Sequence, residues 1–150
     1  MWTPNRRSRP AWAKIRVIVL HSTGGAFAGA VSWLMNAASQ VSAHYVVSRA
    51  GQVKKLAPLS DVTWHAGKAE WKGETRVNDI SVGIEMEHID GRQDWPQAQV
   101  AAVVALIGAL RAVCNGPLPV TSHAYVARPR GRKVDPVGFP WAKVPPPVEV

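Results

Sequence analysis

Short apolar stretches alternate along the chain with segments rich in glycine, proline and charge. The β-branched run at residues 15–20 predicts a buried strand, and His21 follows directly at its end. A glycine-rich turn comes next, and apolar side chains at helical spacing then predict a helix over residues 30–38. The chain therefore opens with a strand followed by a helix.

The middle of the chain is predicted to be mostly β-structure. Residues 44–49 and 52–56 flank a glycine, which is the signal of a β-hairpin. A short strand or loop is expected at residues 61–64, and the polar segment 67–78 is expected to be a surface loop. Alternating residues at 81–87 predict a further strand.

A longer helix is predicted in the second half of the chain. Asp94 as N-cap, Pro96 in the first turn and Gln97 at the capping-box position mark its start. An Asn-Gly pair stops it after residue 114, and a last short strand is expected at residues 118–121.

These elements together predict one α/β domain with a central mixed β-sheet flanked by helices. We expect a basic N-terminal arm at residues 1–14 that is extended and disordered, and the folded domain at residues 15–143. A rigid, proline-rich tail at residues 144–150 is expected to add no structural element. The length of 150 residues fits a single domain of ordinary size.

Composition and charge narrow the classes of function. Hydrophobic residues make up 47% of the chain, which excludes a disordered tail. Lys and Arg number 18 against 10 Asp and Glu, and the net charge of +8 favours an acidic partner: nucleic acid, a membrane surface or an anionic bacterial envelope. The single Cys114 excludes an intramolecular disulfide and a CxxC motif, and we interpret it as a small buried hydrophobe. No stretch is long and apolar enough for a membrane helix, and no secretion signal is recognised.

Two histidines and one carboxylate stand where a site could form. His21 and His123 both follow short apolar strands, and Asp135 comes twelve residues after His123. Two imidazoles and a carboxylate are a sound ligand set for a catalytic zinc ion, with a fourth position left for water. Hydrogen-bonded histidines without a metal remain the alternative on spacing alone.

Five motifs in one order carry a family resemblance. They are Val19-Leu-His-Ser-Thr23, Ser42-Ala-His-Tyr45, Trp64-His-Ala-Gly67, Asn78-Asp-Ile-Ser-Val-Gly-Ile-Glu85 and the segment from His123 to Lys133-Val-Asp-Pro136. Together they resemble the type 2 N-acetylmuramoyl-L-alanine amidases, a group that includes phage endolysins, muropeptide-recycling amidases and, by fold, the peptidoglycan recognition proteins. The resemblance covers nearly the whole chain.

The resemblance implies a zinc-dependent hydrolase that cuts the amide between the lactyl group of N-acetylmuramic acid and L-Ala. It implies His21, His123 and Asp135 as the zinc ligands. Glu85 matches the catalytic glutamate that moves the proton, and Lys133 is expected to stabilise the oxyanion. Glu87 shares a strand face with Glu85 by the period of two, so it would face the metal if the alignment had slipped.

Further residues are expected to contact substrate. Trp64 and His65 lie in a motif that lines the substrate groove of relatives, and Ser22 and Asn78 are additional candidates. His44 is expected to be structural. Relatives usually have Asp-Pro-Gly at the third ligand, whereas this chain has Asp135-Pro-Val-Gly138, so the following turn can be one residue longer.

Several functions are compatible with these features. The first is a phage or prophage endolysin, made in the host cytoplasm, acting on peptidoglycan after release and concentrated on the anionic envelope by its charge. The alternatives are an intracellular muropeptide-recycling amidase, a non-catalytic peptidoglycan-binding module and a basic nucleic-acid binder. The last two are ranked lower, because the zinc ligands are complete and no recognition helix is evident. A monomer without stable membrane insertion is expected.

Overall fold

Six strands form the central sheet in a computed structural model that describes all 150 residues. In chain order they are β2 (Val17–Ser22), β3 (Tyr45–Val47), β4 (Val53–Lys55), β6 (Ser81–Met86), β7 (Val120–Ser122) and β8 (Val148–Glu149). They lie in the order β4-β3-β6-β2-β7-β8, and every neighbouring pair is parallel except β3 with β4. The predicted mixed sheet of an α/β domain and its hairpin are confirmed.

Two further strands lie outside this sheet. They are β1 (Arg6–Ser8) and β5 (Asp61–Thr63), which pair antiparallel with each other. The prediction of a short strand or loop at residues 61–64 is therefore met by a strand, whose partner comes from the N-terminal arm.

Three α-helices pack around the sheet: α1 (Phe27–Leu34), α2 (Gln97–Val113) and the short α3 (His123–Val126). The first helix begins three residues before the predicted start and ends at Leu34. The Asn36 side chain accepts a hydrogen bond from the Ala38 N–H and starts a separate 3₁₀ turn, which stops α1 earlier than predicted. No helix has the length and apolar character needed to cross a membrane.

The predicted start of α2 needs correction. Pro96 occupies the N-cap position, and no side chain caps the helix there. The Asp94 carboxylate instead pairs with the Arg49 guanidinium at 2.6 Å, and Arg49 also donates to the Asp94 carbonyl. An ion pair with a distant arginine therefore replaces the predicted capping box.

The alternation of β2 divides the hydrophobic core between the two faces of the sheet. Ile18 and Leu20 belong to the larger cluster, which includes Val103 and Ile107 of α2. Val17 and Val19 point to the opposite face and pack in a second cluster formed by the segment between β5 and β6 and by α3. His21 shares this second face, so the sheet places it away from α2.

The N-terminal arm is ordered, which corrects the prediction that it is disordered. Its basic side chains already have partners: Arg6 pairs with Asp61, and Arg7 pairs with Asp79. The Arg9 guanidinium donates to backbone carbonyls of four residues, namely Leu59, Asp61, Asp79 and Ser81. These arginines hold the arm on the domain.

The C-terminal tail also forms part of the fold. Val148 and Glu149 pair in parallel with Val120 and Thr121, so the tail supplies the edge strand β8 that the sequence did not predict. The Arg111 guanidinium donates to three carbonyls on either side, those of Leu118, Pro145 and Pro147. The proline-rich segment is thereby fixed to α2.

Candidate metal centre and active site

The ends of three adjacent parallel strands define the site. His21 lies near the end of β2 and is paired in register with Glu85 on β6. His123 follows β7, the strand on the other side of β2, and begins α3. The carboxyl ends of parallel strands are where α/β sheets bind ligands. The topology therefore brings together three residues that are far apart in sequence.

Asp135 completes a compact group of possible metal donors. Its Oδ2 lies 3.1 Å from His123 Nδ1 and 3.8 Å from His21 Nδ1, and one donor atom from each of the three residues lies within 4.8 Å of the others. The Ser22 N–H donates to the same carboxylate oxygen at 3.3 Å, and the Ala124 N–H donates to the Asp135 carbonyl at 3.0 Å. Backbone contacts from β2 and α3 thus hold the loop that carries Asp135.

The second ring nitrogen of each histidine has its own partner. His123 Nε2 lies 3.2 Å from the Ala66 carbonyl, and His21 Nε2 lies 2.9 Å from His65 Nδ1. Histidines that bind metals usually donate their other N–H to such a partner, which fixes the tautomer and the ring orientation.

The contacts of Ser81 determine the tautomer of His21. The Ser81 hydroxyl donates to the Val77 carbonyl at 2.6 Å, so its oxygen accepts from His65 Nε2–H at 3.0 Å. His65 Nδ1 is then unprotonated and accepts from His21 Nε2–H. His21 Nδ1, which faces Asp135, keeps its lone pair free for a metal ion.

Gly83 on β6 makes room for this arrangement. A Cβ atom at position 83 would lie 2.5 Å from Cγ of the His65 ring, far inside contact distance. The strand therefore needs a glycine where the His65 ring crosses it.

The electrostatics of the three donors fit zinc. Burial lowers the pKa of His21 well below its ordinary value, and the neighbouring His123 and His65 add to that shift, so the imidazole is neutral as a metal ligand must be. Burial raises the pKa of Asp135, but hydrogen bonds from His123 and the Ser22 N–H outweigh it and leave that pKa lowered. Two imidazoles and a carboxylate are the donor set of a catalytic zinc site with an open position.

Glu85 is the second carboxyl of the site. Its Oε2 is buried and has no hydrogen-bond partner. The pKa of Glu85 is raised to about 8: burial is the largest cause, the negative charge of Asp135 acts in the same direction, and the positive charge of Lys133 opposes both. A carboxyl with a pKa near neutrality can both accept and release a proton.

Glu87 has a different place, although it lies two residues further along. Its carboxylate accepts hydrogen bonds from the Phe27 N–H at 3.0 Å and the Arg49 N–H at 2.8 Å. Phe27 is the first residue of α1, so Glu87 supplies the cap that Ala26 cannot provide. The carboxylate that lines the cavity is that of Glu85.

These residues open into a cavity of about 240 Å³ with two unlike sides. The polar side carries the three metal donors, Glu85 and Lys133. Lys133 is exposed and lines the cavity from the loop that leads to Asp135. The apolar side comprises the hydrophobic lining residues: Ala30, Trp33, Leu34, Val41 and Trp64.

The residues predicted to contact substrate differ in how they are placed. Trp64 is half-buried and lines the cavity as predicted. Ser22 and His65 also line it, but the Ser22 hydroxyl donates to Asp90 at 2.9 Å, and both His65 nitrogens are occupied by the contacts described above. His65 thus holds the ring of the metal donor His21 through a hydrogen bond.

The prediction for Asn78 needs correction. Asn78 does not line the cavity, because its Oδ1 accepts from the His65 and Ala66 N–H groups and so holds the backbone of that segment. His44 contacts only the fold: its Nε2 donates to the Asp61 carbonyl, and its Nδ1 lies beside the Thr63 hydroxyl and accepts from the Gly83 N–H.

Sequence reasoning missed most of the apolar side. Trp33 is 56% exposed, and it lies off the helical stripe formed by Val31 and Leu34. A tryptophan on the polar face of a predicted amphipathic helix is the signal that could have identified it.

A comparison with known families shows the family of this chain. Residues 11–138 match the model of the family described as N-acetylmuramoyl-L-alanine amidase. The chain belongs to this family.

Two curated relatives are similar over most of the chain. N-acetylmuramoyl-L-alanine amidase AmiD of Escherichia coli is 30% identical over 93% of this chain and 55% of its own. The 1,6-anhydro-N-acetylmuramyl-L-alanine amidase AmpD of Citrobacter freundii is 38% identical over 69% of this chain and 55% of its own. The chain thus matches about half the length of these relatives.

A solved structure of one of these relatives is similar in fold to this chain. The complex of E. coli AmiD with anhydro-N-acetylmuramic acid-L-Ala-D-gamma-Glu-L-Lys superposes with a TM-score of 0.77 and 31% identity. The similarity covers 91% of this chain and 59% of the AmiD chain.

Proposed function

We propose that this protein is a zinc-dependent amidase that hydrolyses the bond between the lactyl group of N-acetylmuramic acid and L-Ala in soluble muropeptides. The observation that carries the proposal is the buried His21–His123–Asp135 donor set, with Glu85 in the same cavity. The names of AmiD and AmpD and the anhydro-muropeptide bound to AmiD support soluble fragments as substrates. These relatives favour the muropeptide amidase over the endolysin.

His21, His123 and Asp135 would hold the zinc ion. When bound, zinc would polarise the scissile carbonyl and lower the pKa of a water molecule. The Ser81–His65–His21 chain orients the first ligand, and the Ser22 N–H orients the third. These contacts keep the donor atoms together without further adjustment of the side chains.

Glu85 would move the proton during the reaction. Its carboxylate accepts a proton from the attacking water and then gives it to the nitrogen of L-Ala as the amide bond breaks. In the ligand-free site the pKa of Glu85 is about 8, mainly because of burial, and the positive charge of a bound zinc ion would lower it and favour the carboxylate that accepts the proton. The partner-free Oε2 leaves the group available for it.

Lys133 would stabilise the negative charge that develops on the carbonyl oxygen. It lines the same cavity from the loop that carries Asp135. The apolar side, with Trp33 and Trp64, would pack against the sugar ring or the aliphatic parts of the stem peptide.

Mass analysis of two parallel digests tests the proposal. One uses a soluble 1,6-anhydro-N-acetylmuramyl tetrapeptide, and the other uses purified cell walls. We expect a free stem peptide beginning with L-Ala from the soluble substrate, and no release by Asp135→Ala. Release from neither substrate would overturn the amidase assignment. Release from cell walls alone would overturn the preference for fragments and favour the lytic enzyme.

A further inference from the structure

The arm residues Thr3 and Asn5 lie before the part of the chain that matches the family, yet their side chains are almost completely buried. The Thr3 hydroxyl donates to the Leu34 carbonyl at 2.6 Å. The Asn5 amide nitrogen lies within hydrogen-bond distance of the carbonyls of Asn36 and Val41, both at 2.9 Å. Each of these contacts spans more than 30 residues of sequence.

The segment held in this way, residues 33–42, forms most of the apolar side of the cavity, and we call it the apolar wall. It runs from the end of α1 to the start of β3 and belongs to no strand of the sheet. The last carbonyls of a helix have no partner within it, and Thr3 and Asn5 supply donors to those that follow α1. Without the arm, these carbonyls would lose their donors.

Ser42 connects the arm to both parts of the apolar side. Its hydroxyl donates to the Asn5 carbonyl at 2.5 Å and accepts from the Trp64 N–H at 2.8 Å. The Ser42 N–H in turn donates to the Trp64 carbonyl at 3.0 Å. The arm also pairs with β5, the strand that leads directly into Trp64.

The metal side of the cavity has a separate support. His21 and Glu85 are held by the β2–β6 pairing, and Asp135 is held by His123 and Ser22. None of these contacts involves residues 3–5 or the apolar wall. A change at Thr3 or Asn5 can therefore displace the wall while the β2–β6 pairing and the contacts of Asp135 stay in place.

We infer that Thr3 and Asn5 are positioning residues for substrate binding: they hold the apolar wall, and the wall sets the affinity for the muropeptide. This inference rests on the proposed function for the identity of the ligand. Trp33, with more than half of its surface exposed at the cavity, is the wall residue that would make the largest contact.

The test uses Asn5→Asp, which keeps the size of the side chain but replaces the amide donor with an acceptor. Wild-type turnover of the soluble anhydro-muropeptide is measured first. We expect Asn5→Asp to raise KM roughly tenfold, the size of effect of losing a buried hydrogen bond, with kcat and zinc content unchanged. Arg7→Ala is the matched control, because it releases the ion pair between the arm and Asp79 but does not touch the wall.

Two further measurements separate the possible failures. The dissociation constant of the uncleaved muropeptide, measured in a Glu85→Gln background, should rise with Asn5→Asp and stay constant with Arg7→Ala. Amide exchange at residues 34–42 should accelerate with Asn5→Asp only. Thr3→Val, which removes one donor at nearly constant volume, provides the same test if Asn5→Asp fails to fold.

The outcomes distinguish the two proposals. If the wild-type protein cleaves no muropeptide, the proposed function fails, and binding in the Glu85→Gln background still tests the wall. If the muropeptide is cleaved but Asn5→Asp and Thr3→Val leave both KM and the dissociation constant unchanged, the inference about the arm is overturned. A parallel fall in kcat and zinc content would also overturn it, because the arm would then support the whole site.

Discussion

The two sides of the cavity are built by different means. The metal side stands on the ends of β6, β2 and β7, whose backbone hydrogen bonds fix the positions of Glu85, His21 and the start of α3. The apolar side stands on a segment between α1 and β3 that side chains of the arm hold in place. His21 and Glu85, whose proposed roles depend on short distances, lie on the rigid sheet. The residues proposed to pack against the ligand lie mostly on a connecting segment.

Removing a metal donor should have the largest effect on the metal side. We expect His123→Ala, or treatment of the wild-type protein with a chelator, to abolish muropeptide cleavage, because two remaining donors hold zinc poorly. Zinc content per chain and release of stem peptide are the measurements. Binding of the uncleaved muropeptide to the apolar side should persist, and cleavage that survives metal removal would contradict the zinc assignment.

Glu85→Gln should lower kcat by roughly 10²- to 10⁴-fold, because the variant keeps the shape of the side chain but cannot move the proton. Zinc content should stay near that of the wild type. Glu87→Gln is the matched control, and we expect it to keep kcat while destabilising α1, whose first N–H group, that of Phe27, donates to Glu87. A fully active Glu85→Gln with an inactive Glu87→Gln would show that the roles are reversed.

We expect acidic pH to lower the free energy of unfolding, because His44 is buried and neutral in the folded protein. Burial lowers the pKa of His44 to about 4, against about 6.5 for an exposed histidine, and the hydrogen bond to the Asp61 carbonyl only partly opposes this. The unfolded chain therefore takes up a proton in a pH range where the folded protein does not. The contribution of His44 to the free energy of unfolding is complete above pH 6.5, and we expect it to fall by roughly 3 kcal/mol as the pH decreases to 4.

Urea unfolding between pH 7 and pH 4.5 measures this loss, and the ring signals of His44 in NMR spectra assign it. The other buried histidines with lowered pKa values act in the same direction, so the total loss can exceed the share of His44. Constant stability across this range, or a His44 signal that titrates near pH 6.5, would contradict the prediction.

Ser81→Ala tests the hydrogen bonds that hold His65 and His21, and we expect a smaller effect than from the preceding changes. It removes the acceptor of His65 Nε2–H, so His65 can change its tautomer and no longer fixes that of His21. We expect zinc affinity to fall by roughly 10- to 100-fold, the usual effect of losing such a contact, as measured by competition with a chromophoric chelator. Ser48→Ala is the control, since that buried serine bonds Gln52 within the hairpin. Equal zinc affinity in both variants would exclude the proposed relay.

The sequence predicted the sheet well because its strands depend on local patterns. Apolar runs place β2 and β6, and the parallel topology then brings His21 beside Glu85. The family resemblance pointed to Asp135, whose position in a loop follows from no periodicity. The assignment of roles to these residues stays a prediction until the variants are measured.

The remaining features depend on partners that are distant in sequence. The arm was predicted to be disordered because its charge and prolines are visible locally, whereas Asp61 and Asp79, which pair with its arginines, are not. The tail was missed for the same reason, since its strand exists only through pairing with β7. The prediction of Asp94 as N-cap was wrong, because the carboxylate pairs with Arg49, which is distant in sequence.

Gly83 has a consequence for engineering the protein. Replacing glycine in a strand interior with a better β-former is an ordinary way to raise stability. Here the added carbon would occupy the space of the His65 ring and push it away from His21. A stabilised variant selected on melting temperature alone could thus lose its hold on zinc, so position 83 should be kept fixed in any such library.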